Sequence, residues 1–509
     1  MIETGVISIL PPVIAIVLAL ITKEVYSSLL IGLFSGMLIY SFSSGGGLLF
    51  AVSKMFDMMF SKIADNAYMI IFLALLWGVV VLVSKSGGSA AYGRWAGKRL
   101  KTRRSALFAT SALGVLIFID DGFNSLTVGT VMRPITDRLH ISREKLAYII
   151  DATAAPVCII APVSSWAVAV ASEVSEEGGF NAFLSTIPFN FYALLTILTV
   201  FLISFTGRDF GPMKKAERAA LEASADESES GEEANSKGRV IDLVLPILVL
   251  VVCAVLGMAY VGGFFGGVSF SEAIGYNPTA GLTLGAFAGM LTAFILYIPR
   301  KIMTAKEFID SVVSGIGSIV PPMLILILSW SLGGVCRELI GTGVFISGFV
   351  SSSNLPLQLL PALIFVIAAL MSFSMGTSWG TFGMLIPIVT MICSADGAGA
   401  YLVPALGATL AGSVYGDHCS PISDTTILSS TGADCKHINH VETQLPYATL
   451  VAVVCGIGYL IAGFTLSPWI SLAVGAVLLF AALMLFSKFD LFTKEKKAKA
   501  EAKPEEQAK

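Results

Sequence analysis

Residues 242–260 read DLVLPILVLVVCAVLGMAY, and runs of this kind recur from one end of the chain to the other. A bilayer core takes about 20 apolar residues as a helix, and inside it every backbone N–H and C=O must find a partner within the fold. A chain built largely from such runs reads as an all-α polytopic membrane protein. Of its 509 residues 55% are hydrophobic and 13% charged, against about 25% charged in soluble domains. The formal net charge of −3 says little, because in membranes the placement of Lys and Arg matters more than their sum. The first apolar run has neither a basic leader nor a small-residue cleavage site, so no cleavable signal peptide is expected. The seven cysteines are dispersed and odd in number, which argues against a disulfide framework. No Gly-rich phosphate loop with its lysine is present, so neither ATP drive nor an enzyme is indicated. Nothing suggests a nucleic-acid partner.

In order, crossings are expected at 6–21, 25–42, 68–84, 105–119 and 187–205, with 48–63 an amphipathic interfacial helix and 146–171 apolar but interrupted by Asp151, Pro156, Pro162 and Ser164-Ser165. The second half supplies 242–260, 278–298, 319–336, 357–373, 401–415, 445–466 and 468–486. Between the halves, 207–239 is a polar linker whose middle, 223–235, cannot bury enough apolar surface to fold alone. The expected division is therefore 1–206, a first transmembrane repeat; 207–239, a cytoplasmic linker; 240–466, a second repeat; 467–487, an extra terminal helix; and 488–509, a charged cytoplasmic tail.

The repeat rests on one register. Gly32-x-Phe34-x-Gly36-Met37-Leu38 recurs as Gly285-x-Phe287-x-Gly289-Met290-Leu291, 253 residues on, and the same shift pairs Trp77 with Trp330 and Ser125 with Ser378. Past Ala155, with six residues inserted, Pro162-Val-Ser-Ser-Trp166 lies against Pro421-Ile-Ser-Asp-Thr425. Direction comes from the loops. After Trp77 follow Lys85, Arg94, Lys98, Arg99, Lys101, Arg103 and Arg104, whereas the mate of this loop is nearly free of basic residues. The loop after Leu38 is Ser/Gly-rich, and its mate carries Arg300, Lys301 and Lys306. Opposite charge bias in matching loops implies opposite orientation. The expectation is two inverted-topology repeats with broken helices or re-entrant hairpins, the N-terminus outside and the C-terminus cytoplasmic.

In such folds the site lies where helices break near the midplane. Breaks are expected at 121–130 (DGFNSLTVGT), 374–381 (SMGTSWGT), 161–166 (APVSSW) and within 416–433 (GDHCSPISDTTILSSTGA). The candidate ion- and substrate-binding residues are Asp121, Asn124, Ser125, Thr127, Ser164, Ser165, Thr377, Ser378, Thr381, Asp417, His418, Ser420, Ser423, Asp424 and Thr425. Hard oxygen donors suit Na⁺, and the Na⁺ candidates among them are Asn124, Ser125, Ser378, Asp417 and Asp424. A carboxylate desolvated at membrane depth holds its charge poorly and takes a proton or Na⁺ in alternation. Competing readings stay open: small residues at helix seams, an N-cap at Asp424, and an ion pair of Arg133 with Asp120 or Asp121. Asp120 and Asp151 are further first-half candidates. Glu173, Glu176 and Glu177 read as a solvated loop. His418, Cys419, Cys435, His437 and His440 invite zinc, but their spacing fits no compact ligand pattern.

GDHCSPISDTT, then STGADC and HVETQLPYA (440–448), together with DDGFNSLTVGTVMRP in the first half, resemble the NhaC family of Na⁺/H⁺ antiporters. The resemblance implies a bacterial inner-membrane transporter driven by Na⁺ or H⁺ gradients, with no cofactor beyond Na⁺ as coupling ion. It also implies an elevator-type scaffold and transport domain, and a possible homodimer. Asp121, Asn124, Ser125, Asp417, His418, Ser423, Asp424 and Thr425 would then belong to the transport domain. Two functions follow. One is Na⁺/H⁺ antiport at Asp417 and Asp424. The other is Na⁺-coupled transport of a small organic solute, an amino acid or short carboxylate including malate/lactate-type exchange; Trp166 and Trp379 beside the breaks suit a cavity larger than a bare ion needs.

Overall fold

The computed structural model describes residues 2, 4–22, 24–174, 178–222, 238–342, 344, 345, 348, 356–395, 397–421 and 423–489. Among them the regular structure is helical throughout, without strands, and nine helices are long and apolar enough to cross a membrane. The first half runs α1 (Leu10–Thr22), α2 (Val25–Ser43), α3 (Leu48–Asp65), α4 (Ala67–Lys85), α5 (Gly88–Arg99) and α6 (Arg103–Leu116). It continues with α7 (Asp121–Arg138), α8 (Arg143–Thr153), α9 (Ala155–Cys158), α10 (Ser165–Val174), α11 (Gly179–Thr186), α12 (Phe191–Thr206) and α13 (Gly211–Glu222). The second half runs α14 (Val240–Val261), α15 (Phe270–Tyr276), α16 (Pro278–Tyr297), α17 (Ala305–Gly334), α18 (Leu360–Met375) and α19 (Ser378–Cys393). It ends with α20 (Leu402–Cys419), α21 (Asp424–Ala433), α22 (His437–Thr465) and α23 (Pro468–Phe489).

Small residues decide which helices can meet. In lipid, helices associate by close packing rather than by escape from water. Gly281, Gly285 and Gly289 form a stripe at four-residue spacing on α16, pressed against α14. A Cβ on Gly285 would sit 2.6 Å from Ala254 Cβ, and one on Gly281 would sit 2.3 Å from the Met258 nitrogen. Gly32 and Gly36 make the matching stripe on α2 against Ala15 and Pro11 of α1. The glycine motif that marks the repeat in sequence is thus a packing seam. Gly412 and Gly416 of α20 lie on the backbone of α18, and Gly129 of α7 lies on Gly432 of α21, where a Cβ would come within 2.5 Å of the Gly432 carbonyl carbon.

The segment 146–171, expected to be interrupted, is divided into α8, α9 and α10. Several sequence expectations shift. The helix expected from 319 begins at Ala305 and runs 30 residues. The basic segment expected as a loop contains the helix α5, and α19, absent from the expected crossings, occupies the stretch after the 374–381 break. The first third of the linker is also folded. α13 packs on the body through buried Met213 and Glu217, while 223–237 and 490–509 lie outside the described residues. α3 is amphipathic as expected: Lys54 pairs with Asp57 at 3.0 Å on its exposed face, and Ala51, Met55, Met58 and Lys62 are buried.

Ion pairs hold the end of the bundle where the basic segments lie. Lys145 Nζ meets Asp209 at 2.7 Å, Arg103 pairs with Glu217, and Glu217 accepts from the Ser142 N–H at 2.8 Å. Arg300 pairs with Asp242 at the start of α14. Arg133 pairs with Asp434 at 3.6 Å, not with Asp120 or Asp121: it lies more than three turns along α7 from either.

The α7–α21 seam admits no side chain at Gly129. Gly129→Val should lower the thermal midpoint of detergent-purified protein by several degrees, since overpacking a tight contact costs roughly 1–3 kcal/mol. Gly456→Ala, at a position with nothing within 4 Å of the added carbon, should leave it unchanged. An equal midpoint for both variants in a fluorescence melt would remove this seam from the account of stability.

Candidate functional site

Four helices begin inside the apolar body, and each start exposes backbone N–H groups that must be satisfied. α7 begins after non-helical 117–120, and Asp120 caps it by accepting from the Phe123 N–H at 2.9 Å. The run DGFNSLTVGT is therefore helix, and the break precedes it. α10 begins at Ser165 after the loop 159–164; Ser164 Oγ accepts from the Ala167 N–H at 3.1 Å, and the Ser165 N–H donates to the Ile119 carbonyl at 3.1 Å. α19 begins after Gly376, whose φ of 68° closes α18; Thr377 caps it by accepting from Gly380 N–H at 3.4 Å. α21 begins after 420–423, with Ser423 as cap, accepting from Thr426 N–H at 3.4 Å. The N-cap read at Asp424 is thus Ser423, and Asp424 is the first helical residue.

Side chains from these starts meet one another. Ser378 Oγ, on α19, donates to Asp417 Oδ2 at 2.7 Å, at the end of α20. The Ser423 side chain and the Asp121 charge lie close enough to act on this carboxylate. Asp417 Oδ1 is buried with no hydrogen-bond partner among the described residues. Trp166 Nε1 donates to Asp121 Oδ1 at 3.3 Å, and Ser165 Oγ to Asp120 Oδ2 at 3.4 Å. Trp166 stands edge-on to Trp379, ring centres 5.6 Å apart, so α10 and α19 touch through their first turns. Asp120 and Asp417 are buried, Asp121 half-buried, and among the described residues none of the three pairs with Lys or Arg.

His418 faces the other way from its neighbour Asp417. Its Nδ1 lies 2.8 Å from the Tyr192 hydroxyl, and its ring stacks on Tyr148. Its Nε2 is 3.9 Å from Asp151 Oδ2. The same oxygen accepts from Gln444 Nε2 at 2.7 Å and lies 3.2 Å from His440 Nε2. Asp151 is therefore tied to α20 and α22 by three side chains, all buried.

The remaining candidates divide by role. Asn124 donates to the Gly114, Ile117 and Thr153 carbonyls at 2.7, 2.8 and 3.0 Å. It thereby satisfies acceptors freed by the break, and its Oδ1 is left buried without a partner. Ser125 accepts from Ser429 of α21 at 3.4 Å, and Thr127 is buried on the same helix. The Ser164 hydroxyl is used by the loop it closes, donating to the Cys158 and Ala161 carbonyls, and Thr381 donates to the Thr377 carbonyl. Ser420 is buried beside Asp417, its N–H donating to the Asp417 carbonyl. Thr425 Oγ is 2.9 Å from Ser423 Oγ. Asp424, expected as a desolvated carboxylate, reaches the surface while the protein packed around it still desolvates its carboxyl in part; it lies near Tyr26 at the start of α2. Among the described residues no group of three or more His, Cys, Asp or Glu side chains is placed to hold a metal. Cys435 contacts the Lys436 carbonyl, and His437 contacts Ser430 and the Pro421 carbonyl.

Sequence reasoning named Asp120 only as a first-half candidate beside Asp121 and Asp151, weighed His440 only for zinc, and left Gln444 and Tyr192 out of the site. Asp120 carried a signal, an acidic residue directly before a helix start. Gln444 and Tyr192 carried none beyond being polar in apolar runs. Glu173, read as loop, is wholly buried on α10; Glu176 and Glu177 lie outside the described residues.

Comparison with known proteins fits this picture. A family model described as the Na⁺/H⁺ antiporter family matches residues 167–464. An uncharacterised protein of Haemophilus influenzae is 39% identical over 495 residues, covering 94% of each chain. A malate-2H⁺/Na⁺-lactate antiporter of Bacillus subtilis is 29% identical over 208 residues, covering 36% of this chain and 42% of that protein. The crystal structure of the Alcanivorax borkumensis YdaH transporter shares the fold, with a TM-score of 0.55 over 81% of this chain and 88% of that one at 13% identity. The chain is a multi-pass membrane protein and a secondary transporter, and it belongs to the Na⁺/H⁺ antiporter family.

Proposed function

We propose that this protein exchanges Na⁺ for H⁺ at the helix starts around Asp417. The observation that carries the reading is Asp417 itself: buried, bonded by Ser378 on one oxygen, bare on the other, and without a basic partner among the described residues. Charge counting supports a cation there. Asp120, Asp121 and Asp417 bring three negative charges when ionised, and helix N-termini offset only part of them, since helices also end at these breaks. The remainder is met by protons or by metal cations. A buried, unpaired charge costs several kcal/mol, so release of one cation requires uptake of another. Asp417 Oδ1 and Asn124 Oδ1 are oxygens with coordination capacity left. Asp424, exposed, would act as a charge at the mouth of the site rather than as the exchange group.

The architecture we infer is two inverted repeats, residues 1–206 and 240–466, joined by a cytoplasmic linker at 207–239 and followed by a terminal helix. The helix register supports it. A shift of 253 residues carries α2 onto 278–296, where α16 lies, and carries α3 and α4 together onto 301–338, the ground of α17 and its π-helical end, Val335–Leu339. With the six-residue insertion, α10 falls on 424–433, the bounds of α21. The contacts pair accordingly: α7 packs on α21, and α10 on α19. The basic segments, with Lys85 ending α4 and Lys306 opening α17, support a cytoplasmic placement of that face and an outward N-terminus in a bacterial inner membrane. Broken helices set against long continuous ones suit an elevator-type transport domain and scaffold.

A second reading is Na⁺-coupled movement of a small organic acid or amino acid. The Trp166–Trp379 pair beside Asp121 favours it, since two indoles offer apolar surface that a bare cation does not use. So does the partial likeness to an antiporter of malate and lactate.

Proteoliposomes with an inward Na⁺ gradient and a trapped pH dye separate the two. Antiport predicts a Na⁺-driven pH change with no organic solute present; solute uptake that requires Na⁺, with no pH change in its absence, would sink it. Asp417→Asn should abolish the exchange. Ser378→Ala removes a hydrogen bond to a charged group, about 1.5–3 kcal/mol, and should weaken apparent Na⁺ affinity about 10- to 100-fold. Asp424→Asn should lower the rate while retaining Na⁺ dependence, and a null phenotype there would move the exchange group from Asp417 toward the α21 tip.

A further inference from the structure

We propose that Glu173 is a second proton-binding site of this transporter, on the α10–α19 seam and separate from the Asp417 tip. Glu173 lies eight residues beyond Ser165, about 12 Å along α10 at roughly 1.5 Å per residue. It is fully buried, and among the described residues neither carboxylate oxygen has a hydrogen-bond partner of ordinary geometry, although the Ser329 hydroxyl, which donates to the Gly383 carbonyl, stands beside it. Across the seam it faces a glycine: a Cβ built on Gly383 would lie 3.7 Å from Glu173 Oε1. The preceding residue, Ser172, accepts from Trp330 Nε1 at 3.2 Å, which fixes this end of α10 against α17.

A carboxylate so placed is stable as the acid, or as the anion if a cation comes to it. One such cation stands nearby. Arg337 is half-buried in the π-helical turn Val335–Leu339 that extends α17; it makes no ion pair among the described residues, and its field reaches Glu173. π-Helical turns often mark functional positions, because the extra residue redirects a side chain. The helices packed on α10 are α4, α9, α11, α17 and α19. Glu338, beside Arg337 on the same turn, is paired with Lys62 of α3 at 2.8 Å. The other charged groups of these helices lie at the far end of the bundle: Lys85 ends α4, and Lys306, Glu307 and Asp310 open α17. Trp77 meets Gly315, and Leu82 clusters with Ile302, Met303 and Phe308, so the two helices run antiparallel and both groups share one end. Glu173 and Arg337 therefore stand toward the opposite face of the membrane from the basic segments. In the repeat register the mate of Glu173 is Gly432, which lies directly on Gly129. A glutamate occupies one seam at the position where its counterpart has no room for any side chain, so helix packing alone does not call for it.

The proposal rests on the reading that protons move through this chain, and the test keeps the two apart. Infrared difference spectra between acid and alkaline pH are recorded on the purified full chain. Glu173→Gln should remove one protonated-carboxyl band and Asp417→Asn a different one. Arg337→Gln, which leaves the glutamate in place, should change the pH at which the Glu173 band is lost. In proteoliposomes Glu173→Gln should abolish Na⁺-driven proton movement while exchange of radioactive sodium at equal Na⁺ on both sides persists, which also shows that the variant is folded; Glu173→Asp should restore part of the proton flux. A spectrum unchanged by Glu173→Gln, or wild-type proton flux in that variant, overturns the proposal. Loss of the band in a protein whose wild type moves no protons with Na⁺ overturns the exchange reading and leaves the proton site standing.

Discussion

Helices that begin in an apolar interior present unsatisfied N–H groups with no water to satisfy them, and that constraint organises this protein. Each of the four starts is closed by a short side chain: Asp120, Ser164, Thr377 or Ser423. Capping of this kind is worth about 1 kcal/mol at an ordinary surface and more where an orphan donor cannot turn to solvent. The caps explain why Ser, Thr and Asp gather at these points. They also warn against reading every hydroxyl as a ligand, since Ser164 and Thr381 spend theirs on backbone carbonyls. What caps cannot explain is the surplus of acid. Asp121 follows a cap that already suffices, and Asp417 ends a helix, where the macrodipole disfavours negative charge.

Glycine makes the arrangement possible. Breaks can be brought together only if the helices behind them approach closely, and α7–α21 and α18–α20 do so with backbone against backbone. Substituting these glycines would not remove a ligand; it would part the helices that aim the caps. A seam so tight transmits position: Ser125 and Ser429 touch one turn from the Gly129–Gly432 contact, so a shift of α21 carries α7 with it.

Much of the fold was legible in the sequence because membrane insertion enforces it. Apolar length marks crossings, basic loops mark sides, and an apolar run interrupted by Pro, Ser and Asp marks a break. The break at 161–166 and the one within 416–433 stand where residues such as Pro162 and Pro421 indicated. The first break was displaced because Asp121, Gly122 and Asn124 read as loop formers, whereas Asp120 makes them a capped first turn. Run 146–171 was legible as interrupted, because Pro156, Pro162 and the Ser164-Ser165 pair stand where its three short helices part. Of the site, Ser378, Asp417 and Ser423 were legible as polar residues in apolar surroundings. The exposure of Asp424 and the burial of Glu173 were not, since both depend on which face of a short helix meets a neighbour. Tertiary packing alone decides that for helices of ten residues, too short for a stable periodic signal.

Asp417 and His418 deserve to be read as one element. Adjacent on the last turn of α20, they point about 100° apart, one toward the Ser378 start and the other toward Asp151, Tyr192 and Tyr148. Gln444 fixes the joint, since its amide donates both to Asp151 and to the His418 carbonyl. An ion bound at Asp417, as we propose, would act on a turn whose backbone shares Gln444 with a second buried acid, Asp151. Asp151 and its histidines join α8, α20 and α22 at one buried point, and the Asn439–Glu144 and Tyr459–Gly407 hydrogen bonds add further polar contacts of α22 with α8 and with α20. If charge at Asp417 changes, the least costly response is motion of these helices together. That is what a transporter needs of its binding element: a site whose occupancy is felt by a rigid group rather than by a single side chain.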